Sequence, residues 1–293
     1  MMKELASRVF VETDYRDVTV GAVLTDDGWV CIDAPTYPAD AHAWWAALQA
    51  ISPQPFLYVL VTDHHRDRVV GAAWFECPIV AHAHTARILV SQPPVQIGTA
   101  AASAAIGEET DTAQGASLKL PPPEISFSHS MVLHAGERAL HLQHRPGAAQ
   151  GSIWVLLNEE RIVFTGDSVV IDQPPVITDG SVKSWLASLE MLRGGAFAGW
   201  IVVPGRGDVT TPAETELLSR YLDLARERVG ALLHADRPRT EVGQLVPEML
   251  ALFTMPAGRQ TEQFQRRIKA GLEAIYDELK QQPDGSDRAD GGR

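Results

Sequence analysis

Residues 59–71 read Val-Leu-Val-Thr-Asp-His-His-Arg-Asp-Arg-Val-Val-Gly, and this stretch decides the fold. The run Leu57 to Val61 is apolar and partly β-branched, the pattern of a buried strand. Seven polar or charged residues follow, Thr62 to Arg68, before an apolar, helix-like segment from Val69 to Phe75. A strand that ends in His, Asp and Arg and leads into a helix is where an α/β protein places its chemistry.

Upstream, Thr19 to Leu24 and Trp29 to Ile32 read as strands around a hairpin turn at Thr25-Asp26-Asp27-Gly28, and the second ends at Asp33. Pro38 to Ile51 reads as a helix whose Trp44, Trp45, Leu48 and Ile51 share one broad face. Downstream, Ile79 to Ala81 is a short strand running into His82-Ala83-His84, then a helix from Thr85 to Val90. Residues 91–124, rich in Ala, Gly, Ser, Thr and Pro, read as an insertion or flexible cover with a short helix around 99–108. Strands are expected at Ile125 to Leu133, Arg138 to Leu142, Ser152 to Leu157, Arg161 to Phe164 and Trp200 to Val203, with a helix over Val182 to Leu192.

The last third is helical: Pro212 to Leu233, Val242 to Phe253 and Thr261 to Lys280. Thr211 and Glu214 have the spacing of a capping box at the first of these. The expected organisation is one domain over 1–210, a helical segment over 211–282 packed on it, and a Gly/Asp-rich disordered tail at 283–293.

The 293 residues suffice for a sizeable core, and a formal net charge of -12 argues against nucleic acid and anionic membranes as partners. Cys31 and Cys77 lack metal-site spacing and read as small core residues. The first ten residues hold Lys3, Glu4 and Arg8 and no apolar leader core, and no run reaches a membrane span, so a cytoplasmic protein is expected. A homo-oligomer is compatible with the sequence.

The segment Thr62-Asp63-His64-His65-Arg66-Asp67-Arg68-Val69-Val70-Gly71 resembles the Thr-His-x-His-x-Asp-His-x-Gly-Gly motif of the metallo-β-lactamase superfamily. Four more segments resemble that family's motifs in the same order. They are the strand ending in Asp33, His144-Arg145-Pro146-Gly147-Ala148-Ala149-Gln150-Gly151-Ser152, Val163-Phe164-Thr165-Gly166-Asp167, and Val203-Pro204-Gly205-Arg206-Gly207. The resemblance covers roughly residues 8–220 and implies a four-layer αββα sandwich with its site at one edge of two sheets, here with a helical C-terminal extension.

In that family the motifs bind one or two metal ions. Carried over, the first metal's histidines fall on Asp63, His65 and Ala148, the second metal's ligands on Asp67, Arg68 and Arg206, and the bridging carboxylate on Asp167. Ala148 is thus a lost ligand position. Arg donates and cannot accept, so Arg68 and Arg206 cannot ligate a metal and instead pair with Asp67 and Asp167 or bind an anion. His64 reads as polar surface, His144 as a loop histidine, and His82 and His84 as facing opposite ways, with one able to reach the site. Trp44, Trp45 and Trp185 read as packing residues and Asp33 as structural.

Two functions follow as expectations. The first is a pseudoenzyme: a hydrolase-like scaffold with a degenerate dinuclear site and no cofactor, binding a small molecule or protein. The second is a mononuclear hydrolase of an ester, thioester, lactone, amide or phosphoester. It would hold one divalent metal (Mn, Fe or Zn) on Asp63, His65 and Asp167, with Asp67 as general base beside His65.

Overall fold

A computed structural model of the chain describes residues 2–97, 116–118, 120, 122–254 and 259–281. The helix expected around 99–108 and the tail at 283–293 lie outside these residues. Fourteen strands are described: β1 Lys3–Ala6, β2 Val9–Glu12, β3 Val20–Leu24, β4 Trp29–Ile32, β5 Phe56–Leu60, β6 Ile79–His82, β7 Val95–Ile97, β8 Ala116–Leu118, β9 Ile125–Phe127, β10 Ser130–Ala135, β11 Arg138–His144, β12 Ile153–Leu157, β13 Ile162–Val170 and β14 Ile201–Arg206. One sheet has the order β1-β2-β3-β4-β5-β6-β9, the second β10-β11-β12-β13-β14, and β7 and β8 pair apart from both.

The helices are α1 Pro38–Ile51, α2 Arg66–Val69, α3 Ala83–Ser91, α4 Val182–Arg193, α5 Glu216–His234, α6 Val246–Leu250 and α7 Arg259–Gln281. Alternation along the strands explains the layering. In β4, Val30 and Ile32 enter the core between the sheets, while Trp29 and Cys31 pack with Trp44 and Leu48 of α1. In β12, Ile153, Val155 and Leu157 face the first sheet, and Trp154 and Leu156 pack with Trp185, Leu189, Leu222 and Leu272 from α4, α5 and α7. Successive side chains point to opposite faces and both faces are covered, so these strands are apolar throughout. The result is the expected αββα sandwich, with the C-terminal helices in the outer layer of the second sheet.

Several local expectations are corrected. Ile125 to Leu133 is two strands, not one: β9 pairs with β6 in the first sheet and β10 with β11 in the second. The chain changes sheets at Ser128-His129. On α1 the buried stripe is Ala41, Trp44 and Leu48, while Trp45 and Ile51 are exposed at 41% and 43%. Trp45 lies against Phe56 at its edge. The capping box at Thr211 does not form: its side chain caps nothing, and Glu214 instead accepts from the Thr210 hydroxyl. Residues 212–215 form a 3-10 turn ahead of α5, and 239–245 form another ahead of α6. Cys31 and Cys77 are free thiols.

The two sheets meet where β5 ends. Ile153 of β12 donates its N–H to the Thr62 carbonyl at 2.9 Å. Gly166 in β13 makes this approach feasible, since a Cβ there would lie 2.3 Å from the Thr62 hydroxyl and its φ is +54°.

Candidate functional site

Four strands, β4, β5, β13 and β14, converge on one buried cluster of charge. Asp33 follows β4, and Thr62, Asp63 and His65 follow β5. Asp167 lies within β13, and Arg206 closes the parallel neighbour β14. The single turn of α2 turns Arg68 back into the interior, three residues after His65, so the two point the same way.

Asp167 is the hub. Its carboxylate accepts from Nη2 of Arg68, from Nε of Arg206 at 3.2 Å to each oxygen, and from Nη2 of Arg206 at 3.0 Å. His65 Nδ1 donates to it at 2.9 Å. Arg206 also reaches Asp67 through Nη2. Arg68 donates from Nη1 to Asp33 at 2.7 Å, and its Nε lies 3.2 Å from Asp63. Asp33 accepts in addition from the N–H and hydroxyl of Thr62, at 2.8 and 2.7 Å. Asp33, Asp63, Arg68, Asp167 and Arg206 are each at most 2% exposed.

Burial raises the energy of every ionised form here, so the partners decide the charges. Burial works against ionised Asp63, yet the charges of His65 and Arg68 hold it at about 2. Burial likewise opposes ionised Asp167, and Arg206 and Arg68 hold it well below the usual carboxylate range. Burial lifts Asp33 to about 6 against the pull of Arg68. Burial alone would discharge His65, but Asp63 and Asp167 raise it to about 10. The hydrogen bonds agree. Nδ1 faces two carboxylates, Asp167 and, at 3.2 Å, Asp63. Nε2 lies 3.2 Å from the Thr178 hydroxyl, which donates its own proton to the Ala148 carbonyl at 3.1 Å. With that proton on Ala148, both ring nitrogens are placed to donate, in keeping with the upward shift of His65.

Asp63, His65 and Asp167 also form the one group among the described residues able to hold a metal ion, their ligand atoms lying within 4.8 Å of one another. Asp63 Oδ2 and Asp67 Oδ1 are buried and take part in no hydrogen bond within the protein. Ala148 is buried, and its carbonyl also accepts the Thr178 N–H at 3.2 Å.

The remaining histidines are placed differently from expectation or outside the cluster. His64 is buried rather than on the surface, and burial pushes its ring toward the neutral form. Its Nε2 is 4.0 Å from Asp179. His84 does not reach the cluster but pairs with Asp179 at 2.8 Å. His82 caps α3 and stacks on His144 with ring centroids 4.0 Å apart. His144, at the end of β11, bonds the Gln150 carbonyl at 2.7 Å. Three participants carried no sequence signal: Thr178, which receives His65, and Asp17 and Arg267. Asp17 lies 3.7 Å from Arg206 Nη1 and 3.4 Å from Arg267 Nη2. Arg267 is 61 residues beyond Arg206 on a separate helix, so no spacing could announce it.

No helix among the described residues is long and apolar enough to cross a membrane. No curated protein matches the chain. Among solved structures, it is similar to a metallo-beta-lactamase family protein from Thermus thermophilus, at 18% identity and a TM-score of 0.68, covering 94% of each chain. It is also similar to the DIM-1 metallo-beta-lactamase (15% identity, TM-score 0.61, 77% of this chain and 97% of that one). A metallo-beta-lactamase from Pontibacter korlensis matches at 17% identity and a TM-score of 0.57, over 76% of this chain and 98% of that one. These likenesses are of fold. The metallo-beta-lactamase superfamily model matches residues 14–196, more than half of the chain. With the five motif segments at the strand ends that build the cluster, this match makes the chain a member of the metallo-β-lactamase superfamily.

Proposed function

We propose that in this superfamily member a network of ion pairs stands where relatives hold a dinuclear metal centre. The chain is then a hydrolase-like scaffold that binds a small molecule or a protein, not a dinuclear hydrolase. The observation that carries this reading is the carboxylate of Asp167, at the bridging position, engaged by Arg68, Arg206 and His65 together. A guanidinium keeps its charge and donates only, so neither arginine accepts a metal, and each repels a cation placed beside it. Asp67, the other carboxylate of the second metal position, is taken by Arg206. The residues present therefore do not fit a dinuclear centre, and the cluster's donors satisfy charge that metals would otherwise neutralise.

The test is elemental mass spectrometry on protein purified without added metal or affinity-tag nickel, repeated after incubation with Mn, Fe and Zn. No stoichiometric metal is expected in either state. Near-stoichiometric metal that disappears in Asp63→Ala or His65→Ala overturns the reading.

A second reading has one specific observation in its favour. Asp63, His65 and Asp167 are close enough to share one ion, and Asp63 Oδ2 has no hydrogen-bond partner in the protein. A mononuclear hydrolase would use these three ligands, with Asp67 as base. It requires His65 to give up a proton held by two carboxylates. Turnover of an ester, thioester, lactone, amide or phosphoester that survives exhaustive chelation rules it out.

A further inference from the structure

Arg206 has two sides. Nε and Nη2 face the buried carboxylates, but Nη1 points the other way, is buried, and has no hydrogen-bond partner in the protein. On that side lies a cavity of about 420 Å³, lined among others by Arg16, Asp17, Gln173, Arg206 and Gln263. We propose that this cavity binds a small organic anion through a carboxylate or phosphate group, which displaces the side chain of Asp17 from between Arg206 and Arg267. The proposal rests on the metal-free reading, because Arg206 turns Nη1 toward Asp17 in the cavity wall while its other nitrogens stay paired with Asp67 and Asp167.

Asp17 behaves as a poorly fitted occupant. Its contacts to Arg206 and Arg267, 3.7 and 3.4 Å, both exceed the roughly 2.7–2.9 Å of a good charge-assisted hydrogen bond. Its side chain is 31% exposed, so it can swing outward without crossing the core. Two guanidinium groups, those of Arg206 and Arg267, share this one carboxylate, and Arg16, which also lines the cavity, lies over the Tyr37 ring at 4.8 Å. Burial and the neighbouring Arg206 both disfavour the charge of Arg267, which a closer anion would relieve. Gln173 accepts from Arg267 at 2.9 Å through its carbonyl oxygen, leaving its amide N–H groups to donate to a ligand.

The experiment is calorimetric titration of the full chain, pretreated with chelator and exchanged out of phosphate buffer, with inorganic phosphate and with acetate as probes. One saturable site is expected for at least one of the two. Asp17→Asn removes the competing charge and should tighten binding about tenfold, the scale of one charge-assisted contact. Arg267→Gln should weaken it about tenfold. Should Arg267→Gln fail to fold, the exposed Arg16→Gln, expected to weaken binding several-fold, supplies the same information. Absence of saturable binding in both the unaltered chain and Asp17→Asn overturns the proposal. Equal affinity in the unaltered chain, Asp17→Asn and Arg16→Gln overturns it as well. Because the titrated protein is stripped of metal, a failure here is distinct from the discovery of stoichiometric metal in the untreated protein.

Discussion

Arg68 is wholly buried and touches the carboxylates of Asp33, Asp63 and Asp167, so removing its charge takes the paired cation from Asp33 and leaves Asp63 and Asp167 to His65 and Arg206. Breaking a buried pair from one side costs about 3–5 kcal/mol, because the remaining charge is left without compensation. Arg68→Met, similar in length but uncharged, should lose that much in urea denaturation, while the exposed neighbour Arg66→Ala should change stability by less than about 0.5 kcal/mol. A loss near that of Arg66→Ala would mean the network contributes little. His65 adds a pH dependence. Its folded pKa of about 10 lies above its ordinary value of 6.5, so its contribution is complete below pH 6.5 and is lost as pH rises through 10. Linkage puts the difference on the order of 5 kcal/mol, and His65→Gln should flatten the fall in urea midpoint between pH 7 and 10. Asp63, held at about 2 against an ordinary 3.8, contributes above pH 3.8 and loses it as pH falls through 2. Asp33 runs the other way. Raised to about 6, it favours the fold below pH 3.8 and loses that contribution as pH rises through 6.

Among the elements, β13 and β14 approach each other closely at the hub. A Cβ at Gly205 would lie 2.4 Å from Asp167 Oδ1 and 2.4 Å from the Gly166 carbonyl carbon. Gly205→Ala must therefore push β14 away from the hub carboxylate. Overpacking of this kind costs about 1–3 kcal/mol, and here the shift also loosens Arg206. A drop in melting temperature should accompany a weaker response to Arg206→Gln in the Gly205→Ala background, the non-additivity expected of residues in contact. Strictly additive losses would show that the clash is relieved elsewhere. These strands also show what the sequence disclosed. Motif residues at strand ends are local and ordered along the chain, so the positions of Asp33, Asp63, Asp167 and Arg206 in the chain suffice to assign them to one edge. The split of Ile125 to Leu133 between two sheets could not be read, because both halves are apolar enough for either sheet and the crossing lacks Gly or Pro. Trp45 and Ile51 misled for a related reason: a helix with apolar residues on several sides does not say which stripe is buried.

At the scale of the whole molecule, the proposed charge replacement has a consequence that reaches overall stability. Pairings of both arginines with Asp167, and of Arg206 with Asp67, were readable in outline from the motif positions they occupy, whereas those of Arg68 with Asp33 and Asp63 were not. Their closure by Thr178 and by the Asp17–Arg267 contact was not, since residues far apart in sequence supply them. Ala148 stands where the resemblance places a metal-binding histidine. It packs in the apolar cluster with Val182 and Trp185, and a Cβ on Gly180 would already lie 2.9 Å from its carbonyl carbon. Ala148→His should thus cost about 1–3 kcal/mol and capture no zinc by itself. The double variant Arg68→His, Arg206→His is the sharper test. It removes two fixed cations and supplies two imidazoles beside Asp67 and Asp167, so its folded state should come to depend on metal. Binding linkage then predicts a gain of about 2.7 kcal/mol with zinc at a hundred times its dissociation constant. The unaltered chain, neutralised from within, should melt at the same temperature in chelator and in zinc. If chelator lowers the melting temperature of the unaltered chain, a resident metal supports the fold, and the arginines are its neighbours rather than its replacement.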